Sequence, residues 1–154
     1  MPNDQTRKRK FKRKNSFDPA LRHQARQYAL QAMYQWQIAG TALTDIEYNF
    51  LKRYADQSFD RDYFKKLINE IPQHCDEIDR IILPHLTRPL DEIDPIELAT
   101  LRLATYELLK CPEIPFRVAI NEALQLVKQF GSIEGYRFIN GVLDQIAKKN
   151  IFHE

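Results

Sequence analysis

Seven of the eight residues from Arg7 to Lys14 (Arg7, Lys8, Arg9, Lys10, Lys12, Arg13 and Lys14) are basic. Side chains of that type at that density neutralise phosphates, so the run predicts nucleic-acid binding that weakens steeply with salt. The competing reading is a solvated tail that aids only solubility. The charge is local: residues 1–16 carry +6, and because the whole 154-residue chain carries +2, the other 138 residues sum to −4. One like-sign block on an otherwise acidic chain favours the nucleic-acid reading. With so little apolar content, residues 1–17 are predicted to have no fold of their own when free.

A second candidate set follows on the first helix. Its apolar stripe is Leu21, Ala25, Tyr28, Ala29, Ala32, Met33 and Trp36, the spacing of one helix face. Arg22 and Arg26 lie on one flank of that stripe, and Tyr34 points away from it. Two arginines with an outward aromatic suit a surface that holds phosphates while a base stacks. Spacing alone favours the blander alternative, a solvated flank with one scattered aromatic.

Catalytic constellations are missing from the sequence. It contains no Gly-rich phosphate loop, no GxSxG elbow, no HExxH and no spaced Cys/His ligand set,. His74 and His85 are isolated, and Cys75 and Cys111 lack metal-ligand spacing,. Each carboxylate reads as a helix cap or part of an exposed face. The expectation is a binding protein rather than an enzyme, with no metal and no cofactor. No apolar run approaches the roughly 20 residues of a membrane span, and no secretory signal is visible. A cytoplasmic protein with reduced thiols is the simplest expectation.

The positioning elements are all helical. Asp18-Pro19 starts the first helix and Gly40 ends it,. Thr44-Asp-Ile-Glu47 reads as a capping box, and Asp60 caps a helix that Pro72 should kink or split,. Pro84 to Asp94 is rich in breakers, which marks a boundary between subdomains over 18–86 and 87–154. Asp94-Pro95-Ile-Glu97 opens another helix, expected to bury Leu98, Leu101, Thr105 and Leu108. Two more helices follow, on stripes from Phe116 to Phe130 and from Ile139 to Ala147. Gly131 between them is expected to turn the chain with positive φ. The fold class is therefore all-α, with six or seven helices.

The residues go further than their periodicity. IPFRVAINEALQLVKQFG, from Ile114, and YRFINGVLD, from Tyr136, resemble the C-terminal signature of the NusB family of bacterial transcription antitermination factors. The match includes polar residues that no core pattern requires: Asn121, Glu122, Lys128, Asn140, Gly141 and Asp144. ARQYALQAMYQWQIAG, from Ala25, and LRLATYEL, from Leu101, resemble the family's first and central helices. The resemblance covers roughly residues 20 to 150.

It implies two packed three-helix bundles, no catalysis, and binding of boxA-type single-stranded RNA. The implied partners are a small-subunit ribosomal protein acting as NusE and the RNA polymerase antitermination complex, with NusA and NusG. Read-through of terminators, notably on ribosomal RNA operons, is the implied outcome. Carried over by motif, the RNA contacts fall on Arg22, Arg26, Tyr34, Arg102, Glu134 and Phe138. The departures are His23 and Gln24, where the family usually has further arginines, and Glu134, where it usually has Asp. The basic tail is expected to compensate the lost charge. The partner surface is expected around Asp91, Glu97 and Leu98, whose acidic residues complement a basic protein. Two rival readings are a protein-only module or homodimer, and the NusB-like domain of an RNA-cytosine methyltransferase.

Overall fold

The computed structural model describes residues 18–151. The basic run from Arg7 to Lys14 lies outside them. The described residues form seven α-helices and contain no strand. Helix α1 (Pro19–Ala39) begins on the side chain of Asp18, which accepts from the N–H groups of Ala20 and Leu21 at 2.9 and 3.4 Å. It ends at Gly40, whose φ of 66° lies in the left-handed region that glycine enters without steric cost,.

Helix α2 (Leu43–Arg53) starts two residues earlier than the sequence suggests. Ala42 occupies the cap position and makes no side-chain cap bond, so the box expected at Thr44 does not form. Tyr54 and Phe59, in the turn that follows, pack their rings on Tyr28 at centroid distances of 4.1 and 4.9 Å. Helix α3 (Arg61–Gln73) is capped by Asp60, which accepts from the N–H of Tyr63. Pro72 falls in its last turn and splits the expected long helix, because α4 (Cys75–Ile82) restarts one residue after α3 ends,. Two short 3-10 turns, Leu83–His85 and Leu90–Glu92, carry the breaker-rich connection.

Helix α5 (Pro95–Lys110) is the centre of the molecule. Every residue from Leu98 to Leu108 except Arg102 is buried. The sequence predicts a single apolar stripe there. Instead α1, α3, α4, α6 and α7 all pack against this helix, so no face is left for solvent,. Asp94 sits at its cap position but makes no side-chain cap bond. Helix α1 shows the same effect, for Leu30 lies off the predicted stripe and is fully buried. Burying such a side chain contributes about 1.5–3 kcal/mol.

Helices α6 (Phe116–Phe130) and α7 (Ile133–Asn150) form the hairpin. Gly131 joins them in an extended conformation, φ −126°, and not with the positive φ expected. Its glycine identity serves a close approach: a Cβ there would lie 2.9 Å from the carbonyl oxygen of Val127. Ser132 then caps α7 by accepting from the N–H of Gly135. One core cluster runs through the helices on both sides of the connection.

Candidate nucleic-acid interface

The two α1 arginines lie among carboxylates. Arg22 pairs with Asp60 at 3.2 Å and lays its guanidinium 3.9 Å from the centroid of the Tyr63 ring. Arg26, expected on an open flank, is only 3% exposed. Its Nε donates to Glu107 at 2.8 Å, and its Nη1 lies 3.5 Å from Glu122. Tyr63 also donates its O–H to Glu107. Burial pushes the Glu107 carboxyl up, against the opposing pull of Arg26 and Tyr63. Burial pulls the Arg26 guanidinium down, and Glu107 foremost outweighs it, so the group sits above its ordinary value. His23 completes the cluster through Nδ1 to Glu122 at 2.6 Å.

This arrangement corrects two expectations. Arg26 faces inward because α3 and α5 pack against the flank on which its helix position places it, bringing Tyr63 and Glu107 to it. Glu107 is neither a cap nor exposed; it is fully buried and links α5 to α1 and α3. Only the tertiary packing of α5 makes that carboxylate internal, so nothing in the local sequence marked it. Glu122, singled out above as a residue no core pattern needs, acts here as a structural acceptor.

The other end of α1 meets the start of α5. Arg102 forms a bidentate pair with Asp79 of α4 at 2.9 and 2.8 Å and donates to Gln37 at 2.9 Å. Gln37 in turn donates to the carbonyl of Pro95. Beside them runs an open groove of about 480 Å³, lined by Trp36, Gln37, Gly40, Leu90, Asp91, Leu98 and Arg102. The structure thus brings Asp91, Leu98 and Arg102 to one groove. Tyr34, on the turn ahead of Trp36, is 39% exposed.

Glu97 leans onto the first turn of α7, so close that a Cβ on Gly135 would lie 2.5 Å from its Oε2. Burial and the neighbouring Asp94 push its carboxyl up, and Arg88 opposes them. Glu134 is exposed in that same first turn. Phe138, one turn on, is half-buried, with the Arg88 guanidinium 5.6 Å from its ring centroid. Arg22 and Arg26 do not join this group. Arg26 and Gln37 are eleven positions apart on α1, about 16 Å at 1.5 Å per residue.

Among the described residues no group of three or more His, Cys, Asp or Glu could hold a metal ion. His85 Nδ1 donates to Oε1 of Gln145 at 2.9 Å, and both cysteines are free thiols. Nor, among those residues, is any helix long and apolar enough to cross a membrane.

A model of the NusB family matches residues 23–148. The chain belongs to the NusB family. The transcription antitermination protein NusB of Shewanella loihica is 44% identical over 131 residues, covering 85% of this chain and 98% of that one. A solved structure of antitermination factors NusB and NusE in complex with dsRNA superposes with a TM-score of 0.78 at 28% identity, over 85% of this chain and 98% of the other. NusB of T. maritima gives a TM-score of 0.70 at 30% identity, over 82% and 90% of the two chains. The NusB match takes in Arg26, Tyr34, Asp91, Glu97, Leu98, Arg102, Glu134 and Phe138, and begins one residue after Arg22. The all-helical architecture is thus that of NusB structures.

Proposed function

We propose that this chain is a transcription antitermination factor. It binds boxA-type RNA together with the ribosomal protein that acts as NusE and so promotes read-through by RNA polymerase. The observation that carries the reading is the similarity over nearly the full length of NusB proteins, one of them solved with NusE and RNA. Within that frame, α1 offers Tyr34 and α7 offers Phe138 and Glu134 at accessible positions. Tyr34 and Phe138 stack on bases, which requires unpaired nucleotides and favours single-stranded over duplex RNA. Arg102 and Arg22 hold phosphates or base edges with the donors their carboxylate partners leave free. Arg26, being buried, supports Arg22 from inside and does not itself touch RNA. The basic tail, Arg7 to Lys14, adds phosphate contacts.

Asp91, Glu97 and Leu98 take the ribosomal partner, with the apolar floor of the groove below and acidic groups around it. Replacing Glu97 with Lys weakens that complex. The reading extends to the polymerase-bound assembly with NusA and NusG, to a cytoplasmic location, and to a binding rather than catalytic role. It takes residues 18–86 and 87–154 as two bundles sharing α5 as their common wall.

The test is fluorescence anisotropy of labelled boxA-type RNA, with a scrambled strand and a duplex beside it, with and without the partner, at two salt concentrations. Selective tightening on the boxA strand by the partner supports the reading. Equal binding to all three RNAs, with no effect of the partner, overturns it and leaves the basic tail as the sole binder. Removing residues 1–16 without change in affinity or salt slope removes the tail from the contact set.

A further inference from the structure

Arg22, Arg26 and Arg102 each spend their charge on an internal carboxylate: Asp60, Glu107 and Asp79. Arg88, which no assignment above uses, is held differently. It is exposed, and its Nη1 donates to the backbone carbonyl of Glu92 at 3.0 Å. No carboxylate of the described residues comes within 4.0 Å of it. Its guanidinium lies over the ring of Phe138, the proposed stacking residue on α7. A planar cation held against a stacking ring, with most of its donors unspent, can reach the phosphate of a nucleotide stacked there.

The surroundings add a condition. Asp91, Glu92, Asp94 and Glu97 follow within nine residues, and the Arg88 charge opposes the upward push on the Glu97 carboxyl. An RNA strand approaching Arg88 alone meets those carboxylates and is repelled. A basic protein seated on them cancels that repulsion. We propose that Arg88 is a phosphodiester contact of the bound RNA, beside the base stacked on Phe138, brought into use when a basic partner covers Asp91 to Glu97.

The inference rests on the RNA-binding reading above, and its test separates the two. R88Q and wild-type full-length protein are titrated into labelled boxA-type RNA at several salt concentrations, with and without the ribosomal partner. Partner affinity is measured separately without RNA. The expected result is a loss of roughly tenfold in RNA affinity in the presence of the partner, the size of one charge-assisted contact. The slope of log K against log salt shrinks by about 0.7, one phosphate on a single strand. Without the partner the loss stays below about twofold, and R88K, which keeps charge but not the planar fork, falls between. Unchanged RNA affinity in the ternary complex overturns the inference, as does an equal loss with and without the partner. A loss found in partner binding alone assigns Arg88 to the protein interface and also overturns it. If wild type itself binds no RNA selectively, the functional reading fails first.

Discussion

Arg26 and Arg102 sit at opposite ends of the α1–α5 contact, and each is neutralised by a carboxylate from another helix. Their side chains differ in what remains reachable: 4% exposed for Arg26 and 12% for Arg102. Around Arg26 the partners close inward, with Glu107 fully buried, Tyr63 donating to it, and Glu122 and His23 sealing the rim. Around Arg102 they open outward, onto a groove floored by Trp36 and Leu98 and flanked by Asp91. The same residue type on the same helix pair therefore does two jobs. At one end it ties four helices together; at the other it holds a charged group at the edge of a concave surface. A motif that names both arginines as contacts does not distinguish these jobs, but burial does.

The sharpest way to break the comparison is at Glu107. Replacing it with Ala leaves the Arg26 guanidinium buried without its main partner, at a cost of about 3–5 kcal/mol. Urea unfolding measures the loss directly. Replacing Arg26 with Met and Glu107 with Leu together is expected to recover most of it, because the apolar pair needs no desolvated charge. The acid range offers a second check. Burial raises the folded-state value of the Glu107 carboxyl above its unfolded one. Its contribution is therefore fully present below the ordinary carboxylate value and is lost as pH rises through the raised folded value. A stability–pH curve for E107Q lacks that fall.

The Arg102 end yields smaller and more divided effects. Arg102→Ala removes a bidentate, half-sheltered pair and costs about 1.5–3 kcal/mol in stability. It also lowers RNA affinity, whereas Arg26→Met, assayed where both proteins are folded, lowers it little. Equal RNA losses for the two variants would erase the distinction between the ends. Tyr34→Ala is expected to leave stability nearly unchanged, since the side chain is largely outside the core, and to weaken RNA binding by about 1–3 kcal/mol per stacked base. Anisotropy with the boxA strand measures both.

These effects follow how much was legible in the sequence. Helix starts at Pro19 and Pro95 were readable because Asp18 and Asp94 are local signals, needing only neighbours a few residues away. Even there the signal is incomplete: Asp94 marks the boundary without making the cap bond. Thr44 looked like a cap, yet Ala42 took its place. The inward turn of Arg26 was not legible, because it depends on Glu107, 81 residues later, and on Glu122 of α6. Asp79, 23 residues before Arg102, was missed for the same reason. Periodicity reports one buried face per helix, and no residue of α5 is exposed. The candidate interface was read from polar residues in a family motif, which fixes identity but carries no burial.

The gentlest perturbation compares two glycines of α7. At Gly141 a Cβ meets nothing within 4 Å. Gly141→Ala should therefore stabilise the exposed helix face by about 0.5–1 kcal/mol through backbone entropy alone. At Gly135 the same Cβ would stand 2.5 Å from Oε2 of Glu97 and 3.2 Å from its carboxyl carbon. Because the obstructing atoms are the far end of a flexible side chain, the carboxylate swings aside and the helix keeps most of its gain. Gly135→Ala thus leaves the unfolding free energy within about 1 kcal/mol of wild type while displacing Glu97 from its place over α7. Titration of the ribosomal partner then reads the position of Glu97 separately from its charge. Weakened binding by Gly135→Ala but not by Gly141→Ala ties the partner surface to the α5–α7 junction. Equal affinities for both variants would move that surface away from Glu97 and back to the groove at Asp91 and Leu98.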